Sequence, residues 1–240
     1  MKQPIQKIKK EKYEIRAMFN SIAHHYDFLN HFLSFGIDVL WRKRLINELK
    51  KYQPQKVIDI ATGTADLAIM AAKSGIQSIT GVDFSNNMIE IGNKKVFKEN
   101  LQNIINLKIG DAEDLKFEDQ FFDAAIIAFG IRNFENLEKG LTEISRILKV
   151  GSPLLVLEFS TPTAFPVKQF YRFYSHILLP FFGKLISKDK NAYTYLPESI
   201  SNFPFGEQMI PILKNCGFEN CTFKSQTFQI ATLYKGIKKF

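Results

Sequence analysis

Three short apolar runs end at places where a bound nucleotide could be gripped, one in a glycine-bearing turn and two in carboxylates. Lys56-Val57-Ile58-Asp59-Ile60 leads into Ala61-Thr62-Gly63-Thr64-Ala65-Asp66, Ile79-Thr80-Gly81-Val82 ends in Asp83, and Ile105 to Ile109 leads into Gly110-Asp111-Ala112. In an open parallel sheet, ligands lie beyond the carboxyl ends of the strands, at the switch point. Gly63 would let the backbone pass close to a ligand there. Asp83, about 20 residues further on, stands where a carboxylate accepts both hydroxyls of an unphosphorylated ribose. Asp111 would accept an adenine amino group while Ala112 offers a backbone N–H to the ring. Either aspartate alone would serve equally well as a cap. Three strand ends in register point to an adenosine site.

Such a site suits NAD and S-adenosylmethionine alike. Ala61 and Ala65 stand where dinucleotide loops usually carry glycine, the third strand ends in a carboxylate, and the chain closes with an antiparallel pair. All three favour the methyl donor as cofactor.

The elements that must position these groups alternate along the chain, the pattern of an α/β fold with a parallel sheet. Residues 11–49 look helical, with a break at Ser34-Phe35-Gly36, and Pro54 ends them. After the strand 56–60 come a helix over 65–73, a strand over 79–83, and a helix capped by Ser85 running to Lys98. The strand 105–109 follows. Phe122 to Ala128 is apolar nearly throughout, as expected of a strand covered on both faces. Leu137, Leu141, Ile144 and Leu148 make one face of a helix, and Leu154 to Glu158 is the fifth strand. An aromatic stretch runs from Phe159 to about Phe205. A helix over 207–215 and strands over 218–224 and 228–235, joined by Ser225-Gln226-Thr227, complete the chain.

At this point the sequence resembles a known family. The blocks are Phe19-Asn20-Ser21-Ile22-Ala23-His24-His25-Tyr26-Asp27-Phe28-Leu29-Asn30, Leu33-Ser34, Trp41-Arg42, Asp59 to Asp66, Asp83-Phe84-Ser85 with Met88, Asp111-Ala112-Glu113, Phe129-Gly130-Ile131-Arg132-Asn133 and Leu157-Glu158-Phe159-Ser160. In order and spacing these resemble the ubiquinone/menaquinone biosynthesis C-methyltransferase family, most closely its demethylmenaquinone branch, over nearly the whole chain. The resemblance implies a class I Rossmann-like methyltransferase with a seven-stranded, mostly parallel sheet and a terminal antiparallel hairpin. It also implies one domain: a helical cap (1–49), a cofactor-binding core (50–158), an aromatic acceptor- or membrane-facing insertion (159–205) and a closing helix and hairpin (206–240). The family's contacts to the methyl donor fall on Thr64, Asp83 and the pair Asp111-Ala112. A serine common near the end of strand four is Ala128 here, a usual histidine is Asp38, and a usual Pro-Gly-Gly is Val150-Gly151-Ser152.

The implied acceptor is a reduced, polyprenylated naphthoquinol, with a benzoquinol intermediate of ubiquinone biosynthesis as the alternative. A ring carbon becomes nucleophilic when a ring hydroxyl, a phenol with a pKa of about 10, loses its proton. The site therefore needs a base or a positive group that steadies phenolate. Arg132, just after strand four, is the candidate for that charge unless it merely pairs with Glu135. Tyr26 would hydrogen-bond the quinol from a covering helix. His24 and His25 are possible bases, of which at most one can face the pocket. Glu158 is structural or acidic, while His31 and His176 look like members of aromatic clusters.

The chain has 240 residues, 45% hydrophobic and 23% charged, enough to bury a full core. Phenylalanine is over-represented, with 23 copies. Phe170, Tyr171, Phe173, Tyr174, Ile177, Leu178 and Phe181, with Lys168 and Arg172 among them, would line a prenyl channel or rest on a membrane surface. The expected location is cytoplasmic, with peripheral contact at the inner face of the membrane. Cys216 and Cys221 lack metal-ligand spacing and form no disulfide framework, so no metal is expected. The net charge of +8 attracts polyanions. However, no Asn/Asp-Pro-Pro-aromatic segment follows strand four, no cysteine lies near the strand edge, and no RNA-reading module is attached. A nucleic-acid methyltransferase is disfavoured on those grounds. A non-catalytic binding module would have lost Thr64, Asp83 and Asp111, and all three are present. Oligomerisation of identical copies stays open.

Overall fold

A computed structural model describes residues 12–34, 36–174 and 190–239, the side chains of 25–33 and 190–194 excepted. Two helices open it, α1 (Lys12–Leu33) and α2 (Ile37–Lys50), separated at Gly36, whose φ of 73° falls in the left-handed region. Then β1 (Lys56–Ile60), α3 (Asp66–Lys73), β2 (Ser78–Asp83), α4 (Asn86–Lys98), β3 (Ile105–Ile109), β4 (Ala124–Ala128), α5 (Leu137–Ile147) and β5 (Pro153–Phe159) alternate. α6 (Val167–Phe173), α7 (Lys190–Asn202) and α8 (Met209–Asn215) precede β6 (Phe218–Gln226) and β7 (Ala231–Lys238).

The seven strands form one sheet in the order β3-β2-β1-β4-β5-β7-β6. Five run parallel, and β7 lies antiparallel between β5 and β6. Strand order reverses between β1 and β4, so the carboxyl ends of these strands open a crevice.

The central strands are buried almost throughout, because helices cover both faces. One layer packs Trp41, Leu45 and Leu49 of α2 with Ala68, Ala72 and Ile126. The other packs Leu141 and Ile144 of α5 with Ile58, Ile127, Val156 and Met209. The Ser85 hydroxyl accepts from Met88 N–H at 3.3 Å and starts α4 as expected.

The final hairpin departs from the expected boundaries. The turn falls at 227–230 where the sequence suggests 225–227, so it begins two residues and ends three residues later, and Thr227, Phe228 and Gln229 all have positive φ. Tertiary bonds hold it there. Trp41 Nε1 donates to Thr227 Oγ1 at 2.8 Å, and Ser160 Oγ donates to the Gln229 carbonyl at 2.7 Å.

Candidate active site

The loop after β1 is bent by three left-handed residues, Ala61 (φ 53°), Gly63 (φ 56°) and Ala65 (φ 69°). A β-carbon disfavours this conformation by about 1–2 kcal/mol per residue. The fold holds the two alanines there because Thr62 N–H donates to the Val82 carbonyl at 3.0 Å and Ala65 N–H to the Thr62 carbonyl at 3.0 Å. Gly63 N–H donates to Asp83 Oδ2 at 2.8 Å, and Ser85 N–H donates to Asp83 Oδ1 at 2.8 Å. Each Asp83 oxygen therefore keeps capacity for another hydrogen bond. Burial pushes the Asp83 carboxyl up to about 6 against those backbone donors.

Above this loop lies a cleft with about 640 Å³ of empty space, part of it open to solvent. Its floor is Ala61, Gly63 and Asp83; Phe84, Met88, Asp111 and Ala112 form one side, and Phe129, Gly130 and Asn133 form the other. Four strand ends thus converge on one crevice. A β-carbon on Gly130 would sit 2.4 Å from the Ala61 β-carbon, so this approach requires glycine. Gly130→Ala is expected to push the loop aside at a cost of about 1–3 kcal/mol. Calorimetric affinity for S-adenosylmethionine should fall accordingly; undiminished affinity would show that the loop tolerates the shift.

The expected residues are distributed as follows. Gly63, Asp83, Asp111 and Ala112 line the cleft. Thr64 is buried, and its hydroxyl accepts from Lys95 Nζ at 3.2 Å, which places it behind the loop, outside the cleft lining. Asp111 Oδ1 accepts Glu113 N–H at 2.9 Å, while Asp111 Oδ2 is paired with Lys12 of α1. An adenine amino group at Asp111 would share that carboxylate with an ammonium or displace it. Glu113 is itself buried and accepts Glu135 N–H at 2.8 Å. Burial opposes the Lys12 charge, yet Asp111 and Glu113 together raise its pKa.

Arg132 follows β4, and its side chain is buried. Its partner is Glu158, with Nη1 donating to Oε1 at 2.7 Å. The expectation of Glu135 is thus corrected: the sheet sets the ends of β4 and β5 side by side, so a carboxylate on the neighbouring strand is nearer. Glu158 Oε1 also accepts Phe159 N–H at 2.7 Å, and Oε2 accepts Arg132 N–H at 3.3 Å. Complete burial raises the Glu158 pKa against the pull of Arg132. Oε1 thus accepts two donors and Oε2 one, which holds the Glu158 carboxylate against Arg132.

His24 is exposed on α1 and lies in the field of Glu90 on α4, off the cleft. The side chains of Tyr26 and His25 lie outside the described residues, as do His31 and His176. Asp38, in place of the family's histidine, forms a buried pair with Arg42 and accepts Ser34 Oγ at 2.6 Å.

Several groups around Arg132 carried no local signal. Tyr195 Oη donates to Asn133 Oδ1 at 3.0 Å, and Arg132 Nε donates to Ser199 Oγ at 3.3 Å. Burial pushes the Tyr171 phenol up to about 12 and raises that of Tyr195, so both stay protonated at neutral pH. More than 60 residues separate Asn133 from Tyr195, and no motif spans such a distance. Asp59 was visible in sequence, but its state was not. It is fully buried, accepts Thr62 Oγ1 at 2.6 Å through Oδ2, and leaves Oδ1 without a partner.

Beside the cleft opens a second cavity, with about 1510 Å³ of empty space, shared in part with solvent. Arg132, Tyr195, Ser199 and Phe203 line it, and Asn133 and Phe134 line both. One crevice suited to adenosine thus adjoins a larger one through a common wall.

The ubiE/COQ5 methyltransferase family matches residues 5–238. This chain belongs to that family. A demethylmenaquinone methyltransferase of Bacteroides fragilis is 46% identical over 99% of this chain and 100% of its own length. One from Porphyromonas gingivalis is 44% identical, over 94% of this chain and 93% of its own. A ubiquinone/menaquinone biosynthesis C-methyltransferase of Geotalea daltonii is 43% identical, over 94% and 96%. Among solved structures, the cyclase SpnF superposes with a TM-score of 0.68 at 15% identity, covering 95% of this chain and 96% of its own. Phosphoethanolamine N-methyltransferase 2 of Haemonchus contortus, with S-adenosyl-L-methionine, gives 0.59 at 18% identity, over 82% of this chain and 53% of that one. A cyclase and a methyltransferase on one scaffold show that these likenesses speak for the fold alone.

This family member uses S-adenosylmethionine, and the cleft fits it: a carboxylate at the end of β2 flanked on one side by the glycine-floored loop after β1 and on the other by a second carboxylate after β3. No helix among the described residues is long and apolar enough to cross a membrane.

Proposed function

We propose that this chain transfers the methyl group of S-adenosylmethionine to a ring carbon of a reduced, polyprenylated naphthoquinol, converting demethylmenaquinol to menaquinol. The observation that carries the reading is the pair of adjoining cavities with Asn133 and Phe134 in their common wall. The names of the Bacteroides and Porphyromonas relatives support the naphthoquinol over a benzoquinol.

Bound S-adenosylmethionine supplies an electrophilic methyl group on a cationic sulfur. The chain's own groups do the rest. Asp83 accepts the ribose hydroxyls with Gly63 beneath it, and Asp111 with Ala112 meets the adenine. Thr64 acts through the loop it anchors. Arg132, whose charge is held at the wall of the second cavity, favours phenolate over phenol on the acceptor and so raises electron density at the ring carbon. Asn133 faces both substrates, and Tyr26 is the further residue we assign to a hydrogen bond with the acceptor's hydroxyl. The remaining gain comes from holding carbon in line with methyl. Residues 1–49 form the cap of one methyltransferase domain, and 159–205 form its acceptor- and membrane-facing insertion. The enzyme touches the membrane surface peripherally to reach its lipid acceptor.

The test gives purified protein labelled methyl donor with reduced demethylmenaquinone or, in parallel, an unmethylated polyprenyl benzoquinol. Label should enter the naphthoquinol. Asp83→Ala should weaken donor binding by about 1–3 kcal/mol, the scale of lost charged hydrogen bonds. Label confined to the benzoquinol arm would reassign the acceptor, and none in either arm would overturn the reading.

A further inference from the structure

The short helix α6 carries aromatic residues on two sides. Tyr171 and Tyr174 are half-buried, and desolvation pushes both phenols up to about 12. Phe170 and Phe173 turn outward, 72% and 53% exposed, and Phe165 just before the helix is 81% exposed. Far along the chain, Phe228 at the tip of the β6–β7 turn is 76% exposed. The two segments are tied together. Thr163 Oγ1 donates to Gln229 Oε1 at 2.8 Å, and Ser160 N–H donates to the Ile230 carbonyl at 2.9 Å. Phe165 and Phe228 each lie within two residues of those bonds.

Phe228 also sits at φ 54°, a conformation that a bulky residue adopts only under constraint. Its exposure is thus built in by the turn's anchors. Exposed aromatics on segments bonded to each other in this way mark a surface that meets another phase or partner. Charge decides which. From Phe159 to Lys188 the sequence has no aspartate or glutamate but carries Lys168, Arg172, Lys184 and Lys188. Lys168 and Arg172 are exposed on α6 itself, beside the outward phenylalanines. Aromatic side chains flanked by basic ones suit the headgroup boundary of an anionic bilayer.

We propose that α6 with Phe165, together with the β6–β7 turn at Phe228, forms one two-part surface that docks on anionic lipid bilayers. This deepens the membrane contact of the function proposed above, and it identifies the hairpin tip as half of the device.

The test is sedimentation of the full chain with vesicles of phosphatidylcholine, alone or mixed equally with phosphatidylglycerol. The protein should partition preferentially into the anionic vesicles. Phe170→Ser and Phe228→Ser should each reduce that partition about fivefold, the scale of losing one partly buried ring. Lys168→Glu with Arg172→Glu should abolish the preference for phosphatidylglycerol. Unchanged S-adenosylmethionine affinity, measured by calorimetry, establishes that each variant is folded. Equal partition into both vesicle types, or a Phe228→Ser variant that sediments like its parent, overturns the proposal. So does concentration-dependent dimerisation in vesicle-free buffer that the phenylalanine variants abolish, since the face would then join two copies. Turnover of an unprenylated, water-soluble naphthoquinol should survive in Phe228→Ser. Its absence in the parent would count against the function and leave the docking result standing.

Discussion

Glu158→Gln is expected to lower the stability of the chain by about 3–5 kcal/mol, the cost of leaving one partner of a buried ion pair uncompensated. Arg132 has a side chain only 5% exposed, and Glu158 is fully buried beneath it. Glutamine keeps the shape and one acceptor but withdraws the charge that balances the guanidinium. The double variant Arg132→Met with Glu158→Gln should regain much of that loss, because an apolar replacement removes the unbalanced charge as well. Urea unfolding of the parent, single and double variants at neutral pH measures both effects. A Glu158→Gln variant as stable as the parent would mean that water or another group reaches Arg132.

The same pair of variants separates structure from chemistry. If Arg132 steadies phenolate, the double variant should fold and bind S-adenosylmethionine normally yet turn over about 10²–10³-fold more slowly. Turnover restored along with stability would reduce Arg132 to a structural role.

The second large effect concerns pH. Asp59 is buried beneath the loop it helps to fold, and burial pushes its carboxyl up to about 7, partly offset by Thr62 and the charge of Arg42. The folded chain therefore holds this proton more tightly than the unfolded chain does. The resulting stability is fully present below the unfolded pKa, near 4, and is lost as pH rises through about 7. Asp59→Asn removes that loss while keeping an acceptor for Thr62 Oγ1 and placing an amide at the unpartnered oxygen. The variant should exceed its parent by on the order of 2–4 kcal/mol at pH 8, with the gap closing toward pH 5. Asp83, raised in the same direction to about 6, remains in both proteins, and its charge is part of what raises Asp59. Parallel stability curves from pH 5 to 8 would show that Asp59 is ionised in the fold without penalty.

Much of the scaffold was legible in the residues. Apolar runs ended by turn residues located the five parallel strands within one or two residues, and Ser85 marked the start of α4. These features are local: a strand needs its period and a cap needs its hydroxyl, both readable over a few positions. The carboxyl-end rule likewise brought Asp83, Asp111 and Gly63 to one crevice, because parallel strands align their ends whatever their order. The sheet order could not be read the same way. That β7 inserts between β5 and β6 depends on how the last elements pack, and the hairpin turn shifted because Trp41 and Ser160 hold it from outside.

The sequence by itself determined the alternation of elements, the carboxylates at the strand ends and the family to which the chain belongs. Tertiary structure alone decided that Arg132 pairs with Glu158, that Lys12 occupies Asp111, that Thr64 turns behind its loop and that Phe228 stands exposed. The reason is range. Periodicity and capping act between neighbours in the chain, whereas a buried charge or an exposed ring answers to whatever the sheet brings beside it.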